Sequence, residues 1–130
     1  MRIHNAQYQI NKNKMSRTLE IAQTIQHQLM TLGRVKVWSW GSRSWTAIKD
    51  EENRDGLEFR VSGFKHKGKV RIVLDWSDTY VISFFNSRNT LKGKVDEVYF
   101  DEMVDLIDTF VEYPGSDEEY KKLIENKYKF

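Results

Sequence analysis

Three apolar segments that alternate with polar residues, joined by tight polar turns, constrain this chain most. Leu57, Phe59 and Val61 alternate with Glu58 and Arg60. After the turn Lys65-His66-Lys67-Gly68, Val70, Ile72 and Leu74 alternate with Arg71 and Asp75. After Ser77-Asp78, Tyr80, Ile82 and Phe84 repeat the pattern. A period of two belongs to a strand with one buried face. Short turns join such strands side by side and antiparallel. The expected unit is a meander over 57–63, 69–76 and 79–86.

The flanks read differently. Leu19, Ala22, Ile25, Leu29 and Leu32 recur at helical spacing, which predicts a helix over 16–32. Ser16 is its N-cap and Gly33 its left-handed stop. Val35 to Trp40 alternates and is rich in β-formers, so it reads as a strand. Residues 50–56 read as a loop, 86–93 as turn-rich and 94–98 as a short edge strand. Tyr99, Met103, Leu106, Ile107 and Phe110 predict a helix over 99–111, closed by Pro114-Gly115. Ser116-Asp117-Glu118-Glu119 is a capping box that opens a last helix to about Asn126. The first 15 residues form a polar arm. The expected fold is α+β: an antiparallel sheet of four or five strands, with an N-terminal helix and two C-terminal helices on one face. Its core should hold Leu19, Ile25, Leu29, Phe59, Val61, Val70, Ile72, Leu74, Tyr80, Ile82, Phe84, Leu106 and Phe110.

At 130 residues this is one domain, 1–130, long enough to bury a core without metal or disulfides. There is no cysteine, which excludes disulfides and thiolate metal sites and suits a reducing cytoplasm. No apolar stretch approaches the roughly 18–20 residues that span a bilayer. The first 15 residues lack the apolar block of a secretory signal. A cytoplasmic protein with no membrane contact is expected. The net charge of +2 conceals a strong segregation. Residues 1–95 carry 17 Lys and Arg against 8 Asp and Glu, whereas residues 96–130 carry 4 against 11. The chain therefore presents a basic part suited to polyanions and an acidic part suited to cationic partners.

Four stretches then carry a resemblance. Gly41-Ser42-Arg43-Ser44-Trp45, Leu57-Glu58-Phe59-Arg60-Val61, Val70-Arg71-Ile72-Val73-Leu74 with Asp78-Thr79-Tyr80, and Val98-Tyr99-Phe100-Asp101-Glu102-Met103 occur in that order over about 19–110. Together they resemble a family of small uncharacterised proteins from bacteria, phages and mobile elements. The chain departs from that family at both ends, with its polar arm and its last helix. The resemblance implies a small cytoplasmic protein of phage or mobile-element type, and no assigned activity.

The residues offer two candidate surfaces. Trp38 and Trp40, on one face of the expected strand, and Trp45 just beyond could stack bases, with Lys36 and Arg43 beside them for phosphates. The same indoles could equally cover the sheet edge or pack beneath the first helix. Arg60 and Arg71, outward on adjacent strands, with Lys65, Lys67 and Lys69 at the turn, could form a phosphate-binding stripe. They could also serve only to keep the strands soluble and unpaired. Asp101, Asp105, Asp108 and Glu112 fall on one stripe of the second helix, opposite Met103, Leu106 and Phe110. That stripe is either solvated, set against the chain's own basic half, or a surface for a protein partner. His4, His27 and His66 share no metal-ligand spacing, and no nucleophile elbow or P-loop is present. The chain reads as non-enzymatic, with no cofactor and no metal. The leading expectation is a nucleic-acid-binding module. The alternatives are a host-protein-binding accessory that uses the acidic helix and a self-assembling homo-oligomer.

Overall fold

The computed structural model of the protein describes residues 2–112, and its side chains over residues 17–112. The element order is α1 (Arg2–Ser39), β1 (Arg43–Lys49), β2 (Asp55–Ser62), β3 (Lys67–Leu74), β4 (Tyr80–Asn86), β5 (Leu91–Val98) and α2 (Met103–Val111). The fold is α+β. The five strands lie in the order β1-β2-β3-β4-β5, each antiparallel to the next. The expected helix over 116–126 lies outside the described residues.

The central meander has the phase that its alternation predicts. Leu57 pairs with Ile72 and Ile72 with Ile82, while Phe59 pairs with Val70 and Val70 with Phe84. These two rows run across the sheet and are buried throughout. Ala22, Ile25 and Leu29 of α1 and Met103, Val104 and Ile107 of α2 join the same apolar cluster. Both helices therefore cover one face of the sheet. Leu19 is the exception among the core expectations, lying 51% exposed at the edge of the apolar stripe. Leu74, Leu106 and Phe110 are half-buried and packed against the cluster.

The main correction concerns 35–40. This segment is no strand: α1 continues through it, after a break at Gly33. Gly33 has φ −163° and ψ 50°, so it is not the left-handed stop expected of it. Its service is steric, because a Cβ there would stand 2.4 Å from Cγ1 of Val104. The bare backbone at 33 lets α2 dock against the bend. Beyond it Val37 and Trp40 are buried and Val35 and Trp38 exposed. Buried positions three apart are a helical repeat, and burial of that face outweighs the β-forming tendency of valine and tryptophan. The left-handed residue is Gly41, at φ +64°, where the chain turns off α1 into β1.

β1 is the strand that alternation did not reveal. Its register slips between Arg43 and Thr46, with Ser44 at φ 58°, so it carries no clean period. β5 is longer than the expected 94–98 and is also irregular, with two register shifts and Glu97 at φ 55°. Both edges of the sheet are thus bulged, which blunts them against pairing with a further strand.

Candidate functional site

The tryptophan segment does not make a platform. Trp40 is fully buried, and its Nε1–H donates to Asp108 Oδ1 at 2.9 Å. Trp45 is half-buried, stacked on Phe59 with ring centroids 4.3 Å apart. Trp38 alone is exposed, with the guanidinium of Arg34 above its ring. The three indoles therefore form no common exposed face: Trp38 lies on α1, while Trp40, in the turn that ends it, and Trp45 both pack on Phe59. Lys36 Nζ binds Asp105 at 2.8 Å, and Arg43 donates to Ser62 Oγ and the Gly41 carbonyl.

The acidic stripe is graded along α2, from exposed Asp105 through half-buried Asp108 to buried Glu112. Asp105 holds Lys36, Asp108 accepts from Trp40, and Glu112 is buried at the end of α2. Asp101 sits in the turn before α2 and is exposed. Among the described residues one ion pair, the exposed Lys36–Asp105, joins the basic part of the chain to the acidic part.

The sheet face opposite α1 and α2 is mixed in charge. Glu58 lies between Lys69 at 3.1 Å and Arg71 at 3.4 Å. Arg71 also reaches Glu51, and its guanidinium rests 4.8 Å from the Phe85 ring centroid. Lys69 sits on the same ring. Two of the cations expected in a phosphate stripe are thus held by a carboxylate and an aromatic. Arg60 remains exposed on this face and makes no ion pair among the described residues.

An antiparallel meander gathers alternate turns at the same end, and each end of this sheet has a recess. At one end Arg17, Lys49, Arg54, Asp55, Asp75 and Trp76 border a space of about 320 Å³. Its cations are paired, Arg17 and Lys49 with Asp55 and Arg54 with Asp50 and Asp75. Arg54 bonds Asp50 and Asp75, each at 2.8–2.9 Å. Burial pushes the Asp50 carboxyl up, but the hydrogen bonds and charge of Arg54 outweigh it and hold that carboxyl below its usual range. Asp55 behaves likewise through Thr18, Lys49 and Arg17, and Asp75 is lowered by Arg54 and then Ser77. The Asp50 bond in turn raises Arg54 far above any working pH. This end is a clamp between the β1–β2 and β3–β4 turns, with its cations held by carboxylates.

The other end is basic and open. Lys65, His66, Lys67, Asn86, Lys92 and Phe110 line a recess of about 340 Å³. The Val111 carbonyl accepts the N–H groups of Lys65 and His66, tying the β2–β3 turn to the end of α2. Asn86 Oδ1 accepts the N–H groups of Arg88 and Thr90, which shapes the β4–β5 turn alongside. Lys65, Lys67, Arg88 and Lys92 make no ion pair among the described residues. His66 is buried, edge-on to Phe84 and Phe110. Burial pushes its ring below the ordinary histidine value, against the pull of the Lys69 and Phe85 backbone. The sequence placed Lys65 and Lys67 at a turn, but Asn86, Arg88 and Lys92 were not read with them. The parity of the meander was the available signal, since turns two strands apart must coincide.

Among the described residues, no group of His, Asp and Glu is placed to hold a metal, and no helix is long and apolar enough to cross a membrane. In comparison with known proteins, the chain matches no family model, no curated protein and no solved structure.

Proposed function

We propose that the protein is a small non-catalytic binding module of phage or mobile-element type, which engages nucleic acid through the basic end of its sheet. The observation that carries this reading is the contrast in how cations are used. At the far end and on the face opposite the helices, Arg54, Lys49, Lys69 and Arg71 are each bound to carboxylates. At the basic end Lys65, Lys67 and Lys92 line one recess to which the described residues contribute no carboxylate. Like charges gathered without counter-ions repel one another, and an incoming polyanion relieves that repulsion. Arg88 on the adjoining turn and exposed Arg60 extend the positive field. The tryptophans contribute structure in this reading and do not stack on bases.

A protein partner is the second reading, and it rests on α1. Val35 and Trp38, three residues apart, are 78% and 64% exposed, a large apolar pair to leave in water. The acidic helix does not favour it, because Asp105 and Asp108 are engaged within the chain.

Titration of the folded protein against single- and double-stranded oligonucleotides at low salt tests the first reading. Binding that weakens steeply with salt is expected, with a log–log slope of about 0.7–0.9 per phosphate engaged. A folded protein that binds neither DNA nor RNA at low salt overturns it.

A further inference from the structure

The basic recess is lined by a buried histidine whose ring feels the Lys69 and Phe85 backbone but whose Nε2 is left without a partner among the described residues. His66 is 7% exposed, wedged edge-on between Phe84 at 5.9 Å and Phe110 at 5.2 Å. Its Nε2 has no hydrogen-bond partner among the described residues. Burying such a nitrogen forfeits its bond to water. In native folds, an atom so placed commonly marks a water, an ion or a ligand group that completes it. The side chains bordering the same recess are Lys65, Lys67, Lys92, Asn86 and Phe110, three cations with an amide and an apolar wall.

Resting on the nucleic-acid reading above, we infer that this recess receives the terminal phosphomonoester of a nucleic-acid strand. Three ammonium groups hold it, and His66 is the buried polar group at the back. The arrangement of the lining favours an end over an internal phosphate. Lys65, His66 and Lys67 come from one turn region, Asn86 and Lys92 flank the neighbouring turn, and Phe110 closes the side from α2. These groups line a single recess, whereas internal phosphates follow one another along a line. The charge agrees. A monoester carries about −1.5 to −2 near neutral pH, against a single charge on a diester. Three lysines with no carboxylate partner among the described residues suit the greater charge, and lysine meets phosphate as a point charge. A recess of about 340 Å³ also leaves room for the sugar that bears the phosphate.

The test is fluorescence anisotropy at low salt with three internally labelled single-stranded oligonucleotides of one sequence. One bears a 5′-phosphate, one a 3′-phosphate, and one has hydroxyl groups at both ends. A terminal phosphate is expected to tighten binding by about tenfold, the worth of one added charge-assisted hydrogen bond. The tightening should fall below about twofold in Lys92→Ala and in His66→Phe, since each variant lacks one such donor. Lys92 is exposed on β5, so its variant keeps the test decisive even if the buried His66 substitution fails to fold. Tightening with one phosphorylated end and not the other supports the recess and identifies which end it reads. Salt-sensitive binding of equal strength to all three strands overturns this inference and leaves the proposed function standing. A phosphate advantage that survives in Lys92→Ala overturns the assignment to this recess. Absence of binding to all three strands overturns both readings.

Discussion

Replacement of Trp40 separates a structural tryptophan from a stacking one. Its indole is fully buried, stacked parallel to Phe59 with centroids 6.4 Å apart, and bonded to Asp108. Trp40→Ala removes that apolar packing and leaves a void between α1, β2 and α2, a change that costs about 3–5 kcal/mol in well-packed cores. Trp40→Phe keeps most of the packing but takes the donor from Asp108. Asp108 is half-buried, so water replaces part of the missing bond and the expected cost is about 1–2 kcal/mol. Urea unfolding followed by circular dichroism measures both values. The Phe variant should also retain its affinity for nucleic acid. A Trp40→Ala protein within about 0.5 kcal/mol of the parent, as for a surface substitution, would refute the placement of this residue. Loss of nucleic-acid binding in a stable Trp40→Phe protein would restore the stacking role instead.

Two further outcomes follow from the packing and the charge clamp. Gly33→Ala should destabilise by about 1–3 kcal/mol through overpacking, because its Cβ meets Val104 and its backbone angles suit any residue. Truncation of the opposing side chain, Val104→Ala, should recover part of that loss in the double variant, read by the same unfolding assay. Asp50, Asp55 and Asp75 all have carboxyls held below their usual range. Their stabilisation is therefore complete above the unfolded value of about 3.9 and drains away as pH falls through the lower folded values. Arg54→Met should cost about 3 kcal/mol at neutral pH, since it strands the buried Asp50 carboxylate. The deficit should shrink below about pH 4 as that carboxylate protonates. Thermal melts of both proteins at neutral and acid pH check the sign.

The legible part of this fold was the part whose side chains alternate between core and water. Leu57 to Phe84 obeys that rule, and its strand phase and core could be read directly. Residues 35–40 could not, because Val35, Val37, Trp38 and Trp40 satisfy both a strand and a helix pattern over so short a run. What decides between them is α2, far away in sequence, whose Val104 meets Gly33 and whose Asp108 meets Trp40. β1 was hidden by its bulge. The basic turn at 65–69 was visible, but its partners were not. Lys92 and Asn86 join it only through the order of strands, while Glu58 withdraws Lys69 and Arg71 from it. Charge counts along a chain record how many cations there are, and only the fold shows which of them are neutralised.

The central claim is that the lysines at one end of the sheet carry the binding, and that the paired cations of the face opposite the helices do not. Salt dependence of single-strand binding measures this directly for the parent, a Lys65→Ala, Lys67→Ala, Lys92→Ala triple variant, and Arg71→Ala. Every phosphate that a variant fails to engage lowers the log–log slope by about 0.7, so the triple variant should have a slope smaller by at least about 0.7. Arg71, bound to Glu58 and resting on Phe85, should leave the slope unchanged when removed. A triple variant with the parental slope, or an Arg71→Ala protein whose slope drops as far as that of the lysine variant, would contradict the account.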